Sequence, residues 1–588
     1  MELFSKTIHF QASSVANGLS ELAVRSYRHL MTHGWQSLLK TVFTRLAQRS
    51  GWSYLSFVLW EEPLMQMKRE EVQEATDPWP EAPWVSVLID ARLGTVKELA
   101  YSLRSVELQF WPRTEVCVLY DLEKDLRFEE CLQAFIIKHP YTHPHPISGH
   151  VASRDSKILL HNLRQSNWWI ELEPGDRLAP DFLSRALLSL RTQPELRWIY
   201  GDTDLYGFGL RYRPDPKPDW DPIRLLGHNY LQGALLSCSS PEAGESPYSR
   251  ILRDLREGLR DVQVLHLEGI GVHRRSQTSR TFEASAELEE VREHLKQWGH
   301  PARVEPLNSR EGWRSIFPLF DDSRSRIAVI IPTRDRVDLL APCLTGLLEE
   351  TDERNLEVIV VDNDSQEPAT RKFLEHVSRA DSRVQVIRME GRFNYSRLNN
   401  QAVMKTDAEL LLLLNNDIRI LHKDWLNNMK ALIQWPQVGA VGAKLLYPNG
   451  TIQHAGVTLG AGIAGVAGHT AANENPNNFS HGGRLHLLRE VEAATGACLL
   501  VKRAAWKDVG GMDESLKVNF NDVDFCLKLR KHGWKTLWNP ESVLEHRESA
   551  SRGHDEFKPG KRDFFIKEVA IMKDRWGAEL IPHRTTGA

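Results

Sequence analysis

Cysteine is scarce in this sequence, and the few cysteines present are scattered. Only six occur among 588 residues, and no two of them form a Cys-x-x-Cys pair. Structural zinc sites and disulfide-stabilised small domains both need cysteines at close, regular spacing. The sequence therefore suggests neither of these. It favours a reducing compartment, and we expect a cytoplasmic location.

The sequence also lacks a strong charge of either sign and a long apolar run. Its formal net charge is −4, which gives no general attraction to nucleic acid. No stretch reaches the roughly 20 apolar residues that cross a bilayer, and the N-terminal residues MELFSKTIHFQASS lack the apolar core of a secretory signal. We expect no nucleic-acid partner, and any membrane association should be peripheral, on the inner face of the plasma membrane.

A helical pattern occupies residues 21–49, where apolar residues recur every three to five positions. The residues between them are rich in arginine and lysine, and Glu21 is the only acidic one. Two interpretations stay open. A basic amphipathic helix that contains Trp35 suits a membrane interface, and it equally suits packing on the next domain. We predict a helical N-terminal extension over residues 1–83.

Two distant stretches share one pattern, an apolar strand followed by a polar turn and a helix. They are WVSVLIDARLG, from Trp84, and RIAVIIPTRDR, from Arg326. The next strands, EVCVLYD and LEVIVVD, end at Asp121 and Asp362, so the separation changes only from 242 to 241 residues. This near-constant spacing indicates duplication of a whole domain. We predict one copy over residues 84–283, a polar linker over 284–325 and a second copy over 326–588.

Each copy alternates buried strands with helices, which predicts an α/β fold with a mainly parallel sheet covered on both faces. Ligands bind to such sheets beyond the carboxyl ends of the strands. In the second copy, Asp362, Asp417 and His546 each end a strand, and Asp522 lies at the start of a helix. A carboxylate inside an apolar strand would carry a large desolvation penalty. These side chains therefore mark the edge at which we expect a ligand to bind.

The motifs around these residues resemble those of inverting family 2 glycosyltransferases. They are IPTRDR, VVDNDS, LLNNDI, FNDVDFCLKL and LEHRESASRG. GAKLLYPNGTIQHAGVTLG and GHTAANENP are similar to the rhamnosyltransferase-like branch of O-antigen and cell-wall glycan enzymes. The resemblance is strong over residues 326–555 and weak over 84–280. It implies two tandem glycosyltransferase-A domains, a nucleotide-diphosphate sugar donor and a divalent cation, Mg²⁺ or Mn²⁺.

The family's metal-binding Asp-x-Asp motif reads Asn415-Asn416-Asp417 in this chain. The resemblance implies that Asp417 holds the cation, that Asn416 and Asp417 contact the donor, and that His546 completes the metal site. Mg²⁺ commonly takes one or two carboxylates plus phosphate oxygens, and Mn²⁺ also accepts oxygen ligands. The alternatives are an Asn-Asn-Asp turn or helix cap, and a strand-end histidine that is bonded locally.

The same resemblance assigns Asp522 as the catalytic base, which accepts the proton of the acceptor hydroxyl. The alternative for Asp522 is a helix N-cap, and for Asp524 the N-cap is the favoured role. Asp362 matches the residue that binds the nucleotide base or ribose. Thr333 and Arg334 lie in the loop that lines the base.

Two further stretches bear on this match. Asn399 stands where many family members carry an arginine, which leaves Arg397 as a substitute for the diphosphate contact. GAGIAG, at residues 460–465, spells Gly-x-Gly-x-x-Gly, but a loop sequence follows it where a dinucleotide site needs a helix. We expect a flexible glycine loop near the acceptor cleft.

The first copy has lost part of the pattern. NWWIELEPGDRLAPDFL carries Glu173 at the first acidic position and Gly175 at the position of the metal aspartate, with Asp176 beside it. Pro247 falls at the position of the base and cannot accept a proton, whereas His273 keeps the histidine. We expect this copy to be degenerate, either a scaffold or a glycan-binding domain.

The leading hypothesis is a hexosyl-type glycosyltransferase with one active site, in the second copy. It would move a sugar, with rhamnose favoured by the branch resemblance, to a glycan or lipid-linked oligosaccharide acceptor with inversion, in cell-surface polysaccharide synthesis. The alternative is a non-catalytic glycan- or nucleotide-binding protein, which the amides at Asn415 and Asn521 favour. A nucleotidyltransferase would be expected to carry a glycine-rich phosphate loop after its first strand, and IPTRDR has none.

Overall fold

The computed structural model of the chain forms two compact units. The first comprises residues Met1–Pro216, Gly233–Gly244 and Val262–Thr278, and the second comprises Lys217–Gln232, Glu245–Asp261 and Ser279–Ala588. The predicted N-terminal helix over 21–49 lies outside the described residues. Described are residues 69–76, 79–121, 127–147, 167–207, 210–239, 245–275, 281–307, 310–319, 325–462, 464–479, 481–547 and 562–580.

Helices and strands alternate along much of the chain. Up to residue 318 they are α1 Arg69–Thr76, β1 Val85–Asp90, α2 Val96–Glu107, β2 Thr114–Asp121, α3 Arg127–Ile136, β3 Thr142–Ile147, β4 Trp168–Leu172, β5 Arg177–Leu178, α4 Phe182–Leu188, β6 Trp198–Gly207, β7 Leu210–Asp215, α5 Pro222–Gly227, β8 Leu235–Ser237, α6 Pro247–Arg256, β9 Val264–Arg275, α7 Thr281–Gln297, β10 Ala302–Pro306 and β11 Arg314–Pro318.

The remaining elements follow the same alternation. They are β12 Ile327–Thr333, α8 Val337–Glu349, β13 Leu356–Asp362, α9 Pro368–Ala380, β14 Val384–Arg388, α10 Tyr395–Val403, β15 Leu410–Leu414, β16 Ile418–Ile420, α11 Trp425–Ile433, β17 Val438–Leu446, β18 Ile452–His454, β19 Val457–Leu459, β20 Ala467–His469, β21 Arg489–Glu490, β22 Cys498–Lys502, α12 Arg503–Asp508, α13 Asn521–Lys531, β23 Lys535–His546 and α14 Arg562–Trp576. None of the helices in the described ranges combines enough length with enough apolar character to cross a membrane.

Each unit has a large mixed sheet with the same strand order. In the first unit the order is β3-β2-β1-β4-β8-β6-β9-β5, with β7 paired to β6. In the second it is β14-β13-β12-β15-β22-β17-β23-β16, with β18 paired to β17 and β21 to β23. The first four strands of each series are parallel, and β8 and β22 are antiparallel to their neighbours on both sides. The expected α/β class is confirmed.

The two sheets also agree in register. Val85 of β1 pairs with Trp168 of β4, and Ile327 of β12 pairs with Leu410 of β15. Ile327 follows Val85 by 242 residues, and Leu410 follows Trp168 by the same number. Equal offsets on two strands mean that the strands have kept their relative positions as well as their order. The agreement is consistent with the predicted duplication.

The second sheet has a longer connection between two of its strands. Ile199 of β6 pairs with Leu236 of β8, 37 residues later. Val441 of β17 pairs with Leu500 of β22, 59 residues later. The strands β18 to β21 lie within this longer connection. The additional chain therefore leaves the strand pairing unchanged.

The leucine strand β15 shows why polar residues begin where the strands end. All five leucines of Leu410–Leu414 are buried, and β15 lies between β12 and β22. Leu411 and Leu413 belong to the same core as Leu398 and Val403 of α10. A polar side chain within such a strand would lose its hydration without compensation. The asparagines and the aspartate that follow β15 therefore stand at the edge of the sheet.

The segment predicted as a polar linker, residues 284–325, contains most of α7 and the hairpin of β10 and β11. Glu287 of α7 accepts hydrogen bonds from Arg314, at 2.5 Å, and from Asn229, at 2.7 Å. Val291 of α7 is fully buried. Because these polar groups satisfy one another, a stretch rich in charged residues folds as part of the second unit. The boundaries of the units thus differ from the predicted ones.

Candidate active site

Four strands of the second sheet bring most of the predicted site residues to one edge. Thr333 at the end of β12 is in register with Asp362 at the end of β13. Asn416, which follows β15, donates a hydrogen bond from Nδ2 to Thr333 Oγ1 at 2.9 Å. Ile418 of β16 pairs with His546, the last residue of β23. The loop of the Asn-Asn-Asp motif therefore lies beside the ends of β12 and β23.

Asp417 and His546 form the closest contact between predicted metal ligands. Asp417 Oδ1 lies 3.2 Å from His546 Nε2, and both side chains are more than nine-tenths buried. This contact lacks hydrogen-bond geometry, since Asp417 Oδ1 has no hydrogen-bond partner among the described residues. His546 Nδ1 is also without a partner there. Two buried polar atoms are thus left unsatisfied at the edge of the sheet, which is costly in a folded protein.

A divalent cation fits this pair in its ligand chemistry. A carboxylate oxygen and an imidazole nitrogen both bind Mn²⁺, and Mg²⁺ prefers the oxygen. A cation near Asp417 Oδ1 would supply the partner that this buried atom lacks. Within the described ranges no cluster of three or more His, Cys, Asp or Glu side chains has the arrangement of a metal site. The pair would therefore hold a cation together with oxygen atoms from a donor or from water.

The carboxylate of Asp362 is held by the loop that follows it and by the neighbouring strand. Its Oδ1 accepts a hydrogen bond from the backbone N–H of Ser365, at 2.9 Å, and its Oδ2 accepts one from Arg388 Nε, at 3.2 Å. The side chain is almost completely buried. Arg388, by contrast, is more than half exposed. Asp362 thus has a fixed orientation, and a ligand at this position would meet Arg388 as well.

The loop after β12 is tied to the loop after β13. Asp335 adopts a left-handed backbone conformation, with φ 55°, and its Oδ1 accepts hydrogen bonds from the N–H groups of Gln366 and Glu367 at 2.7 and 2.8 Å. Arg334 is exposed beside the buried Thr333. This arrangement leaves the Arg334 side chain free to extend over the edge where a nucleotide base is predicted.

Asp522 is the second residue of α13 and is half-buried. Its Oδ2 accepts a hydrogen bond from the N–H of Gly496, and its Oδ1 accepts one from the N–H of Val523, both at 2.9 Å. The N-cap of α13 is Phe520, with no capping side-chain hydrogen bond, so the alternative role of Asp522 as the helix cap is wrong. Burial, and then the charge of Asp522, raises the pKa of the nearby Tyr395 hydroxyl.

The turn that binds Asp522 also joins this residue to the end of the leucine strand. Asn415 donates its backbone N–H to the carbonyl of Ala497 at 2.9 Å, next to the Gly496 that binds Asp522. Tyr395 Oη donates to the carbonyl of Gly496 at 2.7 Å. Asp522 therefore lies near the same edge of the sheet as the Asn-Asn-Asp motif.

Asp524 has different surroundings and is fully buried. Its Oδ1 accepts hydrogen bonds from Arg575 Nη1, at 2.5 Å, and from Trp576 Nε1, at 2.9 Å. Both donors belong to α14. The favoured sequence interpretation of Asp524 as a helix N-cap is wrong, because its carboxylate binds the side chains of another helix instead of the first N–H groups of its own helix.

Asn399, at the position of the family's arginine, and Arg397, its predicted substitute, both bond to nearby backbone. Asn399 is buried and donates to the carbonyl of Tyr395 at 2.8 Å. Arg397 Nη2 donates to the carbonyls of Glu390 and Arg392 at 3.4 and 3.2 Å. These are long contacts of a guanidinium that keeps further N–H groups. A diphosphate contact by Arg397 stays a prediction.

The glycine-rich loop lies at the tip of a hairpin formed by β19 and β20, as its loop sequence predicts. Beside this hairpin is a histidine pair that the sequence did not single out. Nδ1 of the fully buried His454 lies 2.9 Å from Nδ1 of His469, and His454 Nε2 accepts from the N–H groups of Gly456 and Thr495 at 3.3 Å. Both histidines fall in the motifs quoted above, IQHAGVTLG and GHTAANENP. Their position in these two motifs could have identified them from the sequence.

The charge state of His454 follows from this environment. Burial lowers its pKa well below the usual value, and the electrostatic effects of His469, Arg489 and His546 act in the same direction. A neutral imidazole can accept the two N–H groups at Nε2 while it donates from Nδ1. His454 thereby supports the turn at Thr495, one residue before the Gly496 that binds Asp522.

Strand register corrects the alignment of the first copy by one residue. Arg177 pairs with His273, just as Ile418 pairs with His546. Asp176 is therefore the counterpart of the aspartate before Ile418, and the assignment of that position to Gly175 is wrong. Matching positions of the two sheets are 242 residues apart in β4 and β15 but 241 apart in β5 and β16. Sequence spacing assumed a constant separation and therefore placed the counterpart of Asp417 one residue too early.

In the first unit Asp176 already has partners within the protein. Asp176 is 3% exposed, accepts a hydrogen bond from the N–H of Arg275 at 2.8 Å and lies 3.9 Å from Arg274 Nε. Burial raises the pKa of Asp176 to about 7, and the charge of Arg274 opposes this shift. His273 binds Asp204 instead, with Nδ1 2.8 Å from Oδ1. Each counterpart of the metal pair thus interacts with another partner in the first unit.

The helix that the sequence aligned with the catalytic base carries no carboxylate at that position. Pro247 is the first residue of α6, and Ser246 caps this helix through its side chain. If the helix starts are aligned, Tyr248 stands opposite Asp522. Neither a proline nor a fully buried tyrosine replaces a carboxylate base, and burial raises the pKa of Tyr248.

The sequence around these motifs is similar to that of known proteins. Residues 328–510 match the model of glycosyl transferase family 2. An uncharacterized protein, y4gI, of Sinorhizobium fredii is 33% identical over 519 residues, which are 84% of this chain and 56% of that protein. The O-antigen biosynthesis protein RfbC of Myxococcus xanthus is 32% identical over 401 residues, 65% of this chain and 31% of that protein.

A third relative is shorter. The N-acetylglucosaminyl-diphospho-decaprenol L-rhamnosyltransferase of Mycobacterium tuberculosis is 30% identical over 132 residues, 22% of this chain and 43% of that protein. The chain thus spans 56%, 31% and 43% of the lengths of these three curated relatives. Residues 328–510 of the chain therefore form a glycosyltransferase family 2 domain.

Proposed function

We propose that the second unit is an inverting glycosyltransferase that moves a sugar from a nucleotide-diphosphate donor to an acceptor hydroxyl. One observation carries this proposal. The unsatisfied pair of Asp417 and His546 lies at the same sheet edge as Asp362 and Thr333, and the carboxylate of Asp522 is held beside the end of β15. The family 2 match supports it, and it ends at residue 510, before Asp522 and His546.

The proposed reaction needs one base and one leaving group. The acceptor oxygen attacks the anomeric carbon, and a new carbon–oxygen bond forms while the bond from that carbon to the diphosphate breaks. Asp522 takes the hydroxyl proton, and the nucleoside diphosphate leaves with the bonding electrons. Attack on the face opposite the leaving group inverts the anomeric carbon. Because both oxygens of Asp522 already accept backbone N–H groups, the carboxylate is oriented before the acceptor arrives.

Donor binding is assigned to the strand ends. Asp362 would bind the base or ribose, with Thr333 and Arg334 beside it, and Asn416 and Asp417 would face the diphosphate. Asp417 and His546 would hold Mg²⁺ or Mn²⁺. When bound, this cation would neutralise the charge that develops on the leaving diphosphate.

The names of two relatives support a choice of substrates to test. One is named for O-antigen biosynthesis and another as a rhamnosyltransferase that acts on a lipid-diphosphate sugar. We propose rhamnose as the first sugar to test, with a glycan or lipid-linked oligosaccharide as the acceptor, in cell-surface polysaccharide synthesis. We propose that the reaction takes place on the cytoplasmic side of the membrane, with peripheral contact through the N-terminal residues 21–49, whose sequence predicts a basic helix.

The first unit has a different proposed role. The pairs formed by Asp176 with Arg274 and by His273 with Asp204 leave no free metal pair at the counterpart position. We propose a scaffold or glycan-binding domain for this unit, with the chemistry confined to the second.

A screen of donors tests the proposal. The purified full chain is titrated with UDP-, GDP- and dTDP-sugars in Mn²⁺ and again in EDTA, and release of nucleoside diphosphate is followed. We expect one nucleotide class to bind in Mn²⁺ and to be slowly hydrolysed. Binding without any turnover, even with a glycan acceptor, would favour the non-catalytic alternative, and equal binding in EDTA would contradict the metal site.

A further inference from the structure

One buried carboxylate on the last described helix holds the loop that leads to Asp522. Glu568 of α14 is 2% exposed. Its Oε1 accepts hydrogen bonds from the N–H groups of Lys517, at 2.6 Å, and Val518, at 3.0 Å. Its Oε2 accepts from the N–H and from Nδ2 of Asn519, at 3.0 and 2.7 Å. Four hydrogen-bond donors thus converge on the two oxygens of one carboxyl group.

The same helix also holds the chain on the other side of Asp522. Arg575 Nη1 and Trp576 Nε1 bind the carboxylate of Asp524, and Arg575 Nη2 binds Asp513 at 2.5 Å. The segment 513–524 is therefore anchored to α14 before and after the predicted base.

Between these anchors lies a residue in an unfavourable conformation. Phe520 has φ 59° and ψ 8°, the left-handed region that non-glycine residues rarely adopt. Such a conformation persists only where the surroundings enforce it, and it is often found at functional sites. The ring of Phe520 lies 5.9 Å, centroid to centroid, from that of Phe565 in α14. This turn sets the direction in which α13 starts and hence the position of Asp522.

We infer that α14 is a positioning element of the active site and that Glu568 is a positioning residue for Asp522. This inference rests on the proposed role of Asp522 as the base. Glu568 acts on the backbone of residues 517–519, and the turn at Phe520 transmits that position to the start of α13. Catalytic groups must be held within a fraction of an ångström, so a loosened loop would slow transfer even if every reacting side chain were present.

The change Glu568→Gln tests this inference with little change in size. In either orientation of the amide, two donors of the loop would face an NH₂ group that cannot accept a hydrogen bond. We expect kcat for transfer to fall about ten- to a hundredfold while donor affinity and the folded circular-dichroism spectrum stay unchanged. The matched control is Asp574→Asn, the same chemical change at an exposed position of α14, and it should retain wild-type kcat.

Two more variants separate the possible outcomes. In a protein that already carries Asp522→Asn, Glu568→Gln should lower kcat little further, because Glu568 acts by positioning Asp522. Asn519→Ala removes one of the four hydrogen bonds, so it should fold and show a smaller loss of kcat, and it carries the test if Glu568→Gln does not fold. Wild-type kcat in folded Glu568→Gln or Asn519→Ala, or full additivity with Asp522→Asn, would overturn the inference. An active Asp522→Asn would instead refute the proposed base.

Discussion

Two carboxylates at the start of α13 have very different surroundings. Asp522 is half-buried and binds two backbone N–H groups, whereas Asp524 is fully buried against a guanidinium and an indole. A base must meet the acceptor and release its proton afterwards, which the exposed side of Asp522 permits. Asp524 instead serves the contact between α13 and α14.

The pair Asp522→Asn and Asp524→Asn should therefore separate chemistry from stability. Loss of a positioned base typically costs about a hundred- to ten-thousandfold in rate, so Asp522→Asn should stop transfer with donor and metal affinity near wild type. Asp524→Asn should lower the free energy of unfolding by about 1–3 kcal/mol, because a buried charge-assisted network is weakened. Transfer assays, donor titrations and urea unfolding of both variants are the measurements. An inactive, folded Asp524→Asn beside an active Asp522→Asn would move the base by two residues.

Asp417→Ala should abolish metal-dependent donor binding and leave the fold intact. The variant removes the carboxylate whose buried Oδ1 lacks a partner, so the second unit loses no described hydrogen bond of that atom. Calorimetric titration of the donor with and without Mn²⁺ measures the effect. Asp407→Ala, at a highly exposed aspartate before β15, is the control and should behave as wild type. Unchanged Mn²⁺-dependent affinity in Asp417→Ala would remove the metal assignment.

Among the larger elements, β18 ends in a buried histidine, His454, which contacts both His469 of the β19–β20 hairpin and the turn that binds Asp522. His454 is uncharged in the folded protein because burial lowers its pKa, whereas it titrates near its ordinary value once unfolded. Its contribution to stability is thus present above the unfolded pKa. It is lost as the pH falls below that value, because the unfolded state then binds the additional proton.

His454→Gln should therefore reduce the loss of stability in acid. Glutamine can still accept the two N–H groups but does not take up a proton. Urea unfolding at about pH 7.5 and about pH 5.5 should show a smaller decrease in unfolding free energy for the variant than for wild type. His376→Gln, at an exposed histidine of α9, should leave the wild-type decrease unchanged. The same decrease in both variants would show that His454 is not the buried neutral group.

Some elements could be predicted from the sequence, whereas the contacts of others could not. β12, β13 and β15 were predictable because an unbroken apolar run with a polar end is a local pattern. The partners of Asp524 were not, since Arg575 lies 51 residues later and nothing near Asp524 indicates that contact. The same holds for α7, where Glu287 meets Arg314 only after the chain has folded back. Charged residues that pair across such distances look like linker in the sequence.

For the whole molecule, the two sheets keep one strand order while their edges differ chemically. The motif spacing predicted a duplication, but it placed the counterpart of Asp417 at Gly175, and the pairing of Arg177 with His273 identifies Asp176 instead. A shift of one residue in a loop is invisible to spacing, whereas strand register resolves it. The guanidinium of Arg274 near Asp176 was equally hidden from the sequence.

The double change Glu173→Ala and Asp176→Ala should leave transfer nearly intact. Asp176 is committed to Arg274 and to the N–H of Arg275, so its loss should affect the stability of the first unit more than the chemistry of the second. Transfer rate, donor affinity and thermal unfolding of the variant are to be measured together. A large loss of transfer in a folded variant with normal donor affinity would mean that the first unit takes part in catalysis.

The longer connection between β17 and β22 has a consequence in polymer terms. The entropic cost of closing a flexible loop grows only with the logarithm of its length, so extending this connection from 37 to 59 residues adds well under about 1 kcal/mol. The paired strands fix both ends, and the added chain can vary without disturbing them. One of two sheets with the same strand order can therefore accept new sequence at almost no thermodynamic penalty, and here the sheet with the extra chain belongs to the unit that contains Asp522.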